Sequence, residues 1–522
     1  MSRLWTTPIV EQIIARNPDK SVYLIADYKT PSGPAHIGSL RGPVVHQAVT
    51  RALIRAGRSA HYLYGFDDFD PMDGFPSDLP DEWRQYMGQP LANIPSPDPQ
   101  FDNLAAYYAS SFLEVFTYLG LTPEIIYGSR WYREGRYDQS IERALNHSQT
   151  IRELYLSVSH SEKPTDWLPI HMLCPHCGKI GTTQATAWNG KEVTFVCRPD
   201  LVTWAIGCGQ VSTQSPFGGQ GKLPYKVEAA AKWSFLDEDF ETAGKDHMTK
   251  GGSFDLAAAI AKAVYQIEPP IGRGFPCEFL LHQGKKMSSS KGLGHTAQQA
   301  KRDLPTELLI YKLGVSQPNL QVEFDLTGEA IPRWFDQLDG LLKQAFVDPD
   351  SEAAETVKIF YPGVKLVEYR MRFSQLAFLS QLPNVDLFEF AKLDKGSVLS
   401  VDETAALVER LEYAKYWLAH FADDRVRFIL QTGPLSELSL DSAQLDFLRA
   451  VAKIYNSRSG WTGPELHTEL HQLKAESGLE PRQAFGAIYQ LFFAKESGPP
   501  AGWLIAALEP AYVATRLALV QA

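Results

Sequence analysis

No apolar run in this 522-residue chain is long enough to span a membrane. Its first twenty residues carry charges where a secretory signal needs an apolar core. The expectation is a cytoplasmic protein with no membrane partner. Positive charge is short as well: 50 Lys and Arg face 61 Asp and Glu, a net charge of -11. That excludes a protein that coats nucleic acid through bulk charge and leaves room only for a local basic groove. Cysteine is scarce, with five in all. Disulfide scaffolding is therefore excluded as the basis of the fold. There is no internal repeat and no low-complexity tract. What remains, with 44% hydrophobic and 21% charged residues, is an ordinary globular composition. The length allows roughly two to four domains.

Along the chain, "SVYLIADYK" (21–29) reads as a buried strand stopped by the turn at 30–34. Residues 36–56 read as a helix with an apolar face of Val44, Val45, Ala48, Leu53 and Ile54, closed by Gly57. "SAHYLYGF" (59–66) is the next strand, and together they make a βαβ unit. A helix at about 101–119 and a strand at 123–130 repeat the alternation. Such alternation predicts an α/β fold with a parallel, doubly wound sheet, whose ligands bind beyond the carboxyl ends of the strands. Residues 165–222 break the pattern with four cysteines, many glycines and short β-prone runs, and read as an insertion. The pattern resumes with "FETAGKDH" (240–247), a helix at about 253–266 and "CEFLLHQG" (277–284), taken as a late strand of the same sheet. From about 296 the chain turns to amphipathic helices such as 402–422, 464–478 and 481–499. The segment at 346–357 reads as a hinge.

Two phrases carry chemistry. "PSGPAHIGSLRG" (31–42) sets His36 and Gly38 at the mouth of a helix. Free N–H groups and the helix dipole favour phosphate there, and Gly38 permits a close approach. His36 can donate to a phosphate or ribose oxygen, although a plain helix start reads the same way. "GKKMSSSKG" (284–292) offers Lys286, Ser288, Ser289, Ser290 and Lys291. A basic loop of this kind can clamp a polyphosphate and stabilise charge developing on it. Alone it is equally a solvated loop. The two phrases in this order, each after a strand, favour function together.

Less decided are "GKDH", with Asp246 and His247 in a turn, and the acidic cluster Asp67, Asp68 and Asp70 after the second strand. The carboxylates either meet an ammonium group or cap a helix. Cys174-x-x-Cys177-Gly with Cys197 and Cys208 reads as one structural zinc site, against the alternative of four free buried thiols. His171 and His176 are possible substitutes for a cysteine.

"HIGS" and "KMSSS" resemble the HIGH and KMSKS motifs of class I aminoacyl-tRNA synthetases. "TPSGPAHIG", "GFDDFDPMDGFP", "GKLPYKVE", "AGKDH", "KKMSSSKG" and "LEYAKYWL" narrow the resemblance to class I lysyl-tRNA synthetase in its bacterial form, over nearly the whole chain. The resemblance implies a Rossmann-type catalytic domain over 1–295 with the zinc insertion at about 165–222. It also implies a helical connecting segment over 296–345 and an all-helical anticodon-binding domain over 346–522. It implies activation of lysine by ATP, with Mg²⁺, to an adenylate, then transfer to lysine tRNA, by a chain expected to be monomeric.

By resemblance, the catalytic groups are His36, Lys286, Ser288 and Ser289. The ATP contacts are Pro31, Ser32, Gly33, His36, Gly38, Ser39, Lys286, Met287 and Lys291. The amino acid meets Tyr28, Thr30, Asp67, Asp68, Tyr225, Asp246, His247 and Cys277.

Several positions depart from the family pattern. Ser39 stands for the second histidine of the first motif and Ser289 for the second lysine of the other, with Lys291 as a replacement charge. The family has Trp where Ala229 stands, Tyr where Cys277 stands and a small residue where Tyr28 stands. Some members hold a second metal near the segment that here reads "PSPDPQFDNLAAYY", which has no Cys or His, so none is expected. The rivals are a synthetase of the same class with another amino acid, and a non-catalytic tRNA-binding paralogue. The latter would be expected to erode the ATP motifs, whereas His36, Gly38 and Lys286 all stand.

Overall fold

The computed structural model describes residues 4–287, 294–382, 385–434 and 438–521. Ser288, Ser289, Ser290 and Lys291 lie outside the described residues. The chain divides into two compact units. The first is Met1–Phe324 with Lys358–Pro362, and the second is Asp325–Val357 with Gly363–Ala522. The expected connecting segment 296–345 is thus divided between them.

In the first unit, helix α1 (Thr6–Arg16) precedes strand β1 (Tyr23–Lys29), helix α2 (Arg41–Arg55) and strand β2 (Ala60–Phe66). Helix α3 (Leu104–Tyr118) and strand β3 (Glu124–Tyr127) follow. The three strands lie in the order β1-β2-β3, all parallel, with Tyr23 opposite Ala60 and Leu63 opposite Glu124. Val44, Val45, Val49 and Leu53 of α2 are buried. Each contributes roughly 1.5–3 kcal/mol of burial. Gly57, at φ +77°, ends the helix in a conformation glycine tolerates best.

After β3 the chain returns to the other side of β1. Ala26 N–H donates to the Phe240 carbonyl at 3.1 Å, and Ile25 pairs in parallel with Phe240, which pairs in turn with Ile271. The order of strands therefore reverses between β1 and residue 240. That is the switch point at which doubly wound sheets bind ligands.

Three expectations need correction here. The helix expected from residue 36 begins as a single 3₁₀ turn, Ile37–Leu40, before α2. "FETAGKDH" is no regular strand. Thr242 N–H donates to His46 Nε2 at 3.1 Å instead of to a neighbouring strand, and Lys245–Met248 is a short helix. The strand before Lys286 is not part of the main sheet. Leu280–His282 pairs antiparallel with Lys285–Lys286 and parallel with Val322–Glu323 in a separate sheet. Gln283 and Gly284, both at positive φ, make the two-residue turn of this hairpin.

The insertion closes on itself. His171–Met172 pairs with Gly221–Lys222, and a three-stranded antiparallel sheet of Thr183–Trp188, Val193–Cys197 and Val211–Gln214 lies between. The described elements of the second unit are helices. Leu376, Leu448, Val451, Leu466, Leu470, Ile488 and Phe492 form its core. Capping boxes at Ser400/Glu403, Asp441/Gln444 and Thr462/Glu465 start three of its helices. Each such cap contributes about 0.5–2 kcal/mol.

Candidate active site

A cavity of about 560 Å³ opens at the switch point. It gathers residues far apart in sequence: Tyr28 and Thr30 from the end of β1, His36, Gly38 and Ser39 from the turn, and Asp67 and Asp70 from beyond β2. Tyr225, Asp246, His247, Cys277, Lys286 and Met287 complete the expected set, together with Ser32. Pro31, Gly33 and Asp68 do not line it among the described residues.

The His36 ring folds back over its own loop. A Cβ on Gly38 would meet the imidazole Cε1 at 2.7 Å and Nδ1 at 2.8 Å. The closest demand on Gly38 is thus His36 itself. His36 Nδ1 is buried without a hydrogen-bond partner. Burial, reinforced by Lys29 and Lys286, pushes the imidazole down to about 4, so it is neutral near pH 7. A neutral ring keeps one donor and one acceptor nitrogen for a ligand.

Also lining the cavity, Lys286 Nζ lies 2.8 Å from Asp246 Oδ2 and 3.6 Å from the centre of the Phe279 ring. The Lys286 ammonium, with the hydrogen bond it donates, holds the Asp246 carboxyl below the usual range, against the opposing effect of burial. Half of each side chain remains open to solvent. Tyr225 turns its ring edge-on to His247, with centroids 5.9 Å apart.

The acidic cluster, open to either an ammonium partner or a helix cap, shows some of both within the protein itself. Asp67 Oδ1 is bound by the buried Lys232 ammonium at 2.9 Å, and that ammonium lies 3.6 Å from the centre of the Tyr28 ring. Asp70 accepts from Thr30 Oγ1 at 2.6 Å and from Lys222 at 2.9 Å, while Lys222 also binds Glu228. Asp68 turns away to Ser129, accepting from its N–H at 2.7 Å and its Oγ at 2.5 Å. Burial raises the Asp68 carboxyl to about 6. Two of these three carboxylates are thus neutralised by the protein's own lysines, and the third faces a helix start.

The sequence reading passed over Asp27, Lys29, Arg41, Tyr64, Glu241 and Glu278, all of which line the cavity. Charged Asp27 and Lys29 inside an otherwise apolar strand were the available signal. Burial raises Asp27 to about 7 and lowers Lys29. Arg41, almost fully buried, donates to the carbonyls of Glu278 and Gln317 at 2.7 and 3.0 Å and so ties the start of α2 to the neighbouring hairpin. Of the three departures, Tyr28 takes space left by Gly65, where a Cβ would lie 2.4 Å from its ring. Ala229 is buried in the helix Tyr225–Leu236 and does not line the cavity. Cys277 is buried at the cavity wall, where burial pushes its thiol up to about 12.

In the insertion, the sulfurs of Cys174 and Cys208 are 3.7 Å apart and those of Cys177 and Cys197 are 3.6 Å apart. All four lie within 4.8 Å of one another. Thiolates about 2.3 Å from a tetrahedral zinc stand about 3.8 Å apart, so the donor set and spacing fit that ion. His171 and His176 are not part of the group.

Residues 3–362 match the sequence profile of the family described as tRNA synthetases class I (K). The chain belongs to that family. It is 30% identical to the lysine--tRNA ligase of Archaeoglobus fulgidus over 98% of this chain and 99% of that protein. It is 30% identical to that of Methanocaldococcus jannaschii over 99% of this chain and 100% of that protein. The lysine--tRNA ligase of Methanosarcina barkeri is 29% identical over 98% and 96%. The relatives match the length of this class I synthetase, helical part included. No helix among its described residues is long and apolar enough to cross a membrane.

Proposed function

We propose that this class I synthetase joins lysine to its tRNA in two steps within the cavity at the switch point. In the first, a lysine carboxylate oxygen attacks the α-phosphorus of ATP and pyrophosphate leaves. In the second, a hydroxyl of the terminal tRNA ribose attacks the carbonyl carbon of the adenylate and AMP leaves. One observation carries the reading: His36 with the start of α2 and Lys286 on its hairpin line the same cavity.

His36, Ser32, Gly38 and Ser39 hold the nucleotide, and Lys286 neutralises charge that develops on its phosphates. Ser288, Ser289 and Lys291 follow Lys286 in sequence and complete that clamp. Mg²⁺ arrives with ATP and shares the phosphate charge. Tyr225 and His247 wall the amino acid. Cys174, Cys177, Cys197 and Cys208 hold one structural zinc that ties the insertion together.

The second, helical unit reads the anticodon. A cavity of about 730 Å³ inside it supports this reading. Phe378, Phe428, Trp417 and Trp503 give it aromatic walls, and Arg333, Arg372 and Arg425 line it too. Unpaired bases are recognised by stacking on such rings and by polar groups at their edges. The reaction places the protein with the tRNA pool in the cytoplasm.

A second reading, the same chemistry with another amino acid, has one observation in its favour: the Tyr28 ring lies at the cavity wall, over Gly65, and takes up space there. ATP–pyrophosphate exchange with each amino acid, with and without tRNA, separates the two. Exchange dependent on lysine alone supports the first. Exchange with a different amino acid and not with lysine overturns it, and no exchange at all supports a non-catalytic paralogue.

A further inference from the structure

Of the six described carboxylates at the wall of the active-site cavity, four are ion-paired with a lysine of the chain. Asp67 is bound by Lys232, Asp70 by Lys222, Asp246 by Lys286 and Glu278 by Lys245. Asp27 precedes Lys29 by two residues on the same face of β1, and each stabilises the charge of the other. Glu241 remains. Its Oε2 accepts from the indole N–H of Trp233 at 2.5 Å, and it is partly open to the cavity. No ion pair joins it among the described residues.

Behind it stands Glu238, buried, with Oε2 accepting from the Tyr28 hydroxyl at 3.3 Å and Oε1 lacking any hydrogen-bond partner. Lys232 acts on both glutamates through space, but its ammonium is bonded to Asp67 and lies over Tyr28. The pair is short of one positive charge at a place open to ligand.

We propose that Glu241 receives the side-chain ammonium of the amino acid substrate, with Glu238 as its backing acid. This rests on lysine being the substrate. The chemistry suits an amine on an apolar stem. Tyr28 and Tyr225 supply aromatic walls for methylenes, and a carboxylate terminates the slot. Lys232, held between Asp67 and the Tyr28 ring, shows the same recognition made by the protein to its own lysine. The assignment also answers the fate of the acidic cluster. Asp67 and Asp70 are spent within the fold, so discrimination for an ammonium passes to the carboxylate that is not. Burial pushes both glutamates upward, with Glu241 adding to the rise of Glu238 and Asp27 to that of Glu241, against the partial opposition of Lys232.

The test uses the full-length protein in ATP–pyrophosphate exchange with lysine and with homolysine, which is longer by one methylene. Glu241→Gln keeps an acceptor for Trp233 but loses the charge. It is expected to raise KM for lysine by about 30- to 1000-fold, the loss typical of an unpaired buried charge contact, with KM for ATP within about threefold of wild type. Glu241→Asp keeps the charge and withdraws it by one methylene. It is expected to raise the ratio of kcat/KM for homolysine over lysine at least about tenfold, and it serves if the glutamine variant does not fold.

Wild type that activates lysine, with KM for lysine unchanged in Glu241→Gln or with the homolysine ratio unchanged in Glu241→Asp, overturns the assignment of Glu241 alone. Wild type that activates a different amino acid and ignores lysine overturns the lysine reading instead.

Discussion

The Lys286 ammonium and the Asp246 carboxylate meet at 2.8 Å at the wall of the cavity that His36 also lines. Both side chains are half open to solvent, so the pair can be exchanged for a phosphate without disturbing a core. Lys286→Ala should lower the turnover of adenylate formation by about 10²–10³-fold, as losing a positioned donor does in other sites. KM for ATP should move far less. Single-turnover and steady-state exchange separate the two, and near-normal turnover would remove Lys286 from the phosphate clamp.

His46 gives a pH dependence whose sign can be worked out. Its Nδ1–H donates to the Gly42 carbonyl at 2.7 Å, and its Nε2 accepts from Thr242 N–H at 3.1 Å. Burial lowers its folded value from 6.5 to about 4. Between those values the unfolded chain binds the extra proton, so stability from this group is full above pH 6.5 and is lost as pH falls toward 4. Buried carboxylates raised in the fold, such as Asp27, act in the opposite sense, so the comparison must be a difference. Denaturant unfolding of wild type and His46→Gln should show the gap between them shrinking by about 1–2 kcal/mol from pH 7 to pH 5. A gap that stays constant with pH would contradict a neutral His46.

One zinc per chain is expected by elemental analysis, and Cys174→Ser should lose it. Because the insertion's ends pair with each other at His171–Met172 and Gly221–Lys222, its unfolding should stay local. Hydrogen exchange after chelation should speed up over 165–222 and not over β1, β2 and β3. Full protection of the insertion without metal would show that its four thiols need no ion.

The Arg333 side chain is exposed and makes no ion pair among the described residues, while Arg425 pairs at the surface with Asp423, at 2.9 Å. Replacing both with Ala should leave lysine-dependent exchange intact and raise KM for tRNA about tenfold, with a shallower salt dependence. Charging assays across ionic strength decide this, and unchanged tRNA kinetics would place the RNA elsewhere.

Much of the fold was legible because periodicity marks elements whose faces are buried by their neighbours. β1, α2, β2 and α3 follow the alternation of apolar residues to within a few positions. Pairing was less legible where side chains take over backbone partners, as His46 does at Thr242. The hairpin that carries Lys286 reads like any late α/β strand until its partner Val322–Glu323 is known. At the site, the motif residues were recognisable and converge. The roles of Asp67, Asp68 and Asp70 were not, because each is decided by a partner distant in sequence: Lys232, Ser129 and Lys222. Glu241 was invisible for the same reason, since what singles it out is the cation it lacks.

The closeness of the His36 ring to Gly38, where an added Cβ would meet the imidazole, bears on how such a sequence can change through generations. Any side chain at 38 collides with the imidazole, so an alternative at 38 is open only to a lineage that has already traded the histidine for something smaller. A lineage that has done so cannot regain the histidine until 38 is bare again. The two positions are therefore coupled, and the order of change matters: the histidine must go before the glycine, and the glycine must return before the histidine.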